Sequence, residues 1–175
     1  MHTSIRSHVL GIVALIVPSL AWAVDDPKQH ASIQLFLKAC AITYAHETQV
    51  ANVMTELGFS EIAEAAADQY LVGRPGRAWR GMIDSNAYGV AIQPNGLCTV
   101  FVHAGDATQI QSAVESWLPP ASSDITLKTE DLTTQPGLKT TAYELRGGKV
   151  QERWVVTISS GLTPPVRALL SWNRL

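Results

Sequence analysis

At Gly73 the spacing of apolar residues changes, and that change constrains the fold more than any other feature of the chain. Before it, apolar side chains recur at three- and four-residue steps. Ile33, Phe36, Leu37, Cys40 and Tyr44 form one set; Val50, Val53, Met54 and Leu57 a second; Ile62, Ala65, Ala66 and Tyr70 a third. Each set describes one face of a helix. Gly73-Arg74-Pro75-Gly76-Arg77 then reads as a loop. Beyond it, apolar and polar residues alternate, as along a half-buried strand. Helices at the start and a sheet afterwards is the arrangement this switch predicts.

Punctuation residues sharpen that outline. Asp26-Pro27 opens the first helix, which bends near His46 into the second; Gly58 ends the second. Ser60 is expected to cap the third, with Glu61 and Glu64 in its first turn. Strands are predicted over 79–83, 88–92 and 97–103, the last two joined as a hairpin by Pro94-Asn95-Gly96. Asp106 and Gln109 resemble a capping box for a helix carrying Ile110, Val114, Trp117 and Leu118, and Pro119-Pro120 stops it. Further strands are predicted over 125–129, 138–145, 150–159 and 166–172. Gly147-Gly148 makes a tight turn, and Thr163-Pro164-Pro165 leads into the last strand. Gln151 and Arg153 alternate with Trp154 and Val156, so one face of that strand is partly wet. Short turns require antiparallel pairing. The expected fold is α+β: N-terminal helices, then an antiparallel sheet of about six to seven strands interrupted by one helix, with the helices packed on one face.

Residues 1–23 read as a secretory signal peptide. Arg6 supplies a basic start, 9–20 are apolar, and Ala21-Trp22-Ala23 is a small-x-small cleavage site. That apolar run is short for a membrane span. The expected product is a single domain, 24–175, working in the periplasm or outside the cell, with no membrane span after leader removal. In such a compartment Cys40 and Cys98 most simply form one disulfide. Cys40 lies on the core face of the first helix and Cys98 on the apolar side of a strand, so the bond would staple helix to sheet.

Charge excludes some roles. With 13 Lys+Arg against 15 Asp+Glu the chain is near neutral, without the basic bias of a nucleic-acid binder. Catalytic signatures are missing too. His30, His46 and His103 fall in no HExxH or other closely spaced metal pattern. No GxSxG or SxxK serine motif occurs, and Gly73-x-x-Gly76 lacks the Lys-Ser or Lys-Thr of a phosphate loop. No cofactor, metal or catalytic residue is therefore expected. The distinctive local cluster is Arg74, Arg77, Trp79 and Arg80, residue types enriched at binding hot spots. With Arg153 on the wet strand face, these are the candidate partner-binding residues.

Cys40, the Gly58-Phe59 helix break, Trp79 and Gly96-Leu97-Cys98-Thr99-Val100 together resemble the layout of a group of small secreted proteins and lipoproteins of proteobacteria. The resemblance implies a bacterial envelope setting and carries no catalytic residues. The expected function is a non-catalytic periplasmic or secreted domain that binds another protein, of inhibitor or immunity type. One alternative is a small hydrolase or ligand-binding enzyme using His103 with an acid such as Asp106, which requires a concave pocket at that turn. Another is a structural subunit of an envelope or secretion assembly.

Overall fold

The computed structural model describes residues 26–120, 123–161 and 165–175. The expected leader lies outside these residues, as does most of the turn at Thr163-Pro164-Pro165. Asp26 caps a single 3-10 turn, Pro27–Gln29, and not the first helix. Helix α1, Ala31–Phe36, begins just after it, with the His30 ring accepting from the Ser32 amide. It widens into a π-helical turn, Leu37–Ala41, and stops. The expected bend at His46 is a full break, followed by α2, Glu47–Glu56. Gly58, at φ +72°, then reverses the chain. Its amide donates to Thr55 O and the Phe59 amide to Met54 O, which satisfies two carbonyls the helix end would leave open.

Ser60 is not a helix cap. Ser60–Glu61 form a short strand, β1, and pair with Arg80 and Trp79. Pairing with the sheet has taken these residues away from the helix that follows. That helix, α3, spans Glu64–Leu71, so Glu64 alone of the two expected acids lies in its first turn.

The remaining elements are β2 (Arg77–Ile83), β3 (Asn86–Ile92), β4 (Cys98–Val102), α4 (Ala107–Glu115), β5 (Thr126–Asp131), β6 (Leu138–Gly147), β7 (Val150–Ser159) and β8 (Ala168–Arg174). Asp106 caps α4 through its carboxylate and the Gln109 amide, as expected. One eight-stranded sheet results, in the order β1-β2-β3-β4-β8-β7-β6-β5, every pair antiparallel. The strand missing from the sequence reading is β1. The sheet order is symmetric: two four-stranded meanders meet at β4 and β8, and α4 carries the chain from the junction to the far edge.

Pleating assigns each strand residue to a face. Trp79, Val90, Val100, Leu170, Val156 and Tyr143 line one face and form the main core with α1, α2 and α4. Helix α3 lies on the opposite face. Ala67 and Leu71 pack there on Ala78 and Ala91, with Tyr70 and Phe101 beside them. The helices therefore do not all share one face, contrary to expectation. The small side chains of Ala78 and Ala91, and the absence of one at Gly89, let α3 approach β2 and β3 closely.

Cys40 and Cys98 are bonded, with their Cα atoms 5.5 Å apart. Both are fully buried, so the bond ties the turn after α1 to the first residue of β4. No described helix is long and apolar enough to cross a membrane.

Candidate functional site

The arginine-tryptophan cluster does not form one surface. Arg77 and Trp79 fall on the helix-covered face, whereas Arg80 points to the face bearing α3. Trp79 is buried in the core. Arg77 packs over its ring at 5.0 Å and reaches Glu61 with two hydrogen bonds of 2.7 Å and Glu47 at 3.3 Å. Those hydrogen bonds hold the Glu61 carboxyl below its ordinary pKa and the Arg77 guanidinium above its own. Arg153, on β7, sits between Glu130 at 3.6 Å and Glu144 at 4.0 Å. It lies four strand positions from Arg80, about 19 Å across the sheet. Arg74 stands exposed in the loop before β2. Arg77 and Arg153 are thus held by acids of their own domain.

His103 and Asp106 are not joined by a hydrogen bond. Asp106 is occupied at the start of α4. The His103 Nδ1 lies 2.8 Å from the Pro165 carbonyl oxygen. Since a carbonyl only accepts, Nδ1 carries the proton in the neutral ring. His103 does border an open cleft of about 600 Å³, also lined by Ser60, Tyr70, Arg80, Met82 and Ala87. The structure brings Arg80 and His103 to one cleft, a pairing the sequence did not reveal. Among the described residues, no group of three or more His, Cys, Asp or Glu side chains is placed to hold a metal ion.

A second feature lies at the other end of β4. The break between α1 and α2 forms a hook, residues 42–45. Tyr44 and Ala45 both adopt φ +50°, the left-handed region that non-glycine residues seldom occupy. Side chains alternate along the hook. Thr43 and Ala45 are buried, whereas Ile42 is 69% and Tyr44 57% exposed. Helical spacing had placed Tyr44 in the core, and the left-handed turn is what puts it outside.

Several contacts hold this shape. The Thr43 hydroxyl donates to Ala39 O and Cys40 O, and the Ala45 amide donates to Cys40 O. The disulfide anchors Cys40 itself. Tyr44 meets Trp172 edge to face at 6.4 Å. Trp172 is fixed in turn, because its indole N–H and that of Trp154 both donate to Glu152 Oε2, at 2.8 and 3.0 Å. No motif marks this hook in the sequence, because Tyr44 completes a perfect helical period.

Compared with known proteins, the chain matches no family model, no curated protein and no solved structure.

Proposed function

We propose that this is a non-catalytic, exported protein-binding domain of inhibitor or immunity type, and that the hook at 42–45 enters an apolar cleft on its partner. The observation that carries this is the exposure of Ile42 and Tyr44 on a backbone held in a strained shape. Strain of this kind costs of order 1–3 kcal/mol per residue and persists where the surrounding structure enforces it. A pre-shaped hook loses little entropy on docking. Tyrosine is also among the residues that dominate interface energies. For the alternative His103–Asp106 enzyme, the two side chains share no hydrogen bond: His103 Nδ1 faces the Pro165 carbonyl and Asp106 Oδ1 caps α4.

A photo-crosslinking residue at position 42, in cells that export the protein, tests the reading. A discrete adduct with one envelope protein is expected, lost when Tyr44→Ala is added. The same adduct yield with and without Tyr44→Ala, or no adduct at 42, counts against it.

A further inference from the structure

The cleft beside α3 has the makings of a ligand site, and it lies at the opposite end of β4 from the hook. Its volume, about 600 Å³, falls in the range of small-molecule pockets. Its shape follows from the sequence of β3. A side chain at Gly89 would run into the Tyr70 ring, which fills that position; two residues earlier Ala87 is too small to fill its own. The depression over Ala87 is the result. Tyr70 is a fixed wall, meeting Phe101 edge to face at 4.9 Å and His103 at 6.4 Å. Met82 adds apolar surface and is 61% exposed.

Arg80 supplies the charge. Unlike Arg77, it takes part in no ion pair with a carboxylate among the described residues. It lies two strand spacings from the β4 strand that leads to His103, about 10 Å across the sheet. With Nδ1 committed to Pro165, the His103 ring keeps Nε2 as its remaining hydrogen-bonding atom, an acceptor when neutral. One guanidinium presents a planar, two-pronged donor face that a carboxylate can meet with two parallel hydrogen bonds.

From Arg80, the Tyr70 and Met82 walls and the floor at Ala87, we propose that this cleft binds a small aromatic carboxylate. The carboxylate pairs with Arg80, and the ring lies between Tyr70 and Met82. His103 Nε2 accepts from a hydroxyl or N–H on the far side of the ligand. This proposal is independent of the hook, and the two fail separately.

The test is an amide-resolved NMR titration of the purified protein with benzoate, 4-hydroxybenzoate, phenyl phosphate and benzyl alcohol. Benzoate should shift the amides of Ala87, Gly89 and His103, and 4-hydroxybenzoate should bind more tightly. Arg80→Gln, at an exposed position that should not disturb the fold, should weaken benzoate at least about tenfold; Lys128→Gln, on β5, should leave it unchanged. Phenyl phosphate tighter than benzoate would overturn the carboxylate assignment. Benzyl alcohol binding equally well would overturn the role of Arg80. Absence of shifts at Ala87 and His103, or unaltered binding in Arg80→Gln, would overturn the site.

Discussion

At the scale of single residues, buried polar groups show where the fold is committed. The Tyr143 hydroxyl lies under α4, accepting from Gln111 Nε2 at 2.7 Å and donating to Glu115 Oε1 at 3.3 Å. Burial, reinforced by the Glu115 charge, pushes its pKa up to about 12. A free tyrosine ionises near 10. The folded state therefore favours the neutral phenol. Its contribution to stability is complete below about pH 10 and is lost as pH rises from there toward 12. In Tyr143→Phe this part of the alkaline fall in stability should disappear. Urea titrations at a series of alkaline pH values would show it as a shallower decline, and an unchanged decline would refute the assignment. The same scale explains why the arginines do not share one surface. Arg74, Arg77 and Arg80 are close in sequence, but strand pleating sends Arg77 and Arg80 to opposite faces.

Elements respond to longer-range forces. The disulfide closes a loop with a sequence separation of 58, and the chain-entropy model assigns it about 4 kcal/mol. With Cys40→Ala and Cys98→Ala together, the melting temperature should drop while the far-ultraviolet circular dichroism at low temperature stays the same. The hook should also loosen, since Cys40 O holds the Ala45 amide, and faster hydrogen exchange at Ala45 would report it. An unaltered melting temperature would show that packing alone holds the turn after α1. This staple was legible in the sequence, because both cysteines fell on apolar faces and both faces are core. The hairpin at Asn95-Gly96 and the long strands of the second meander were legible too, since alternation over many residues is a strong signal. Ser60–Glu61 was not: two residues carry no period, and Ser before a helical run looks like a cap. Nor was the placement of α3, because nothing local says which face of the sheet a helix covers. Ala78, Gly89 and Ala91 permit it, yet small residues in a strand have other uses. The cleft with Arg80 and His103 depends on β2 and β4 flanking β3, and so could not be read along the chain.

For the whole molecule, the question is whether two meanders make one cooperative unit. The sheet order invites division at the β4–β8 seam, but the core does not divide there. Val100 of β4 pairs with Leu170 of β8, and Leu170 with Val156 of β7. All three belong to one cluster with Ile33 of α1 and Trp79 of β2. The 3-10 turn and α1, from the start of the described chain, touch α4, which leads into the second meander. Packing on one face therefore crosses the seam at several points. Leu170 is fully buried at its centre. Leu170→Ala should cost on the order of 2–5 kcal/mol, as for other large-to-small core changes. That loss should appear equally in both halves. Indole NMR signals of Trp79, in the first meander, and Trp154, in the second, should vanish together in the variant, as they do in the wild type, but at a lower urea concentration. If Trp154 melts first, the seam is a boundary between two folding units and the single-core account fails. Coincident midpoints, both shifted down, are what a core shared across β4 and β8 requires.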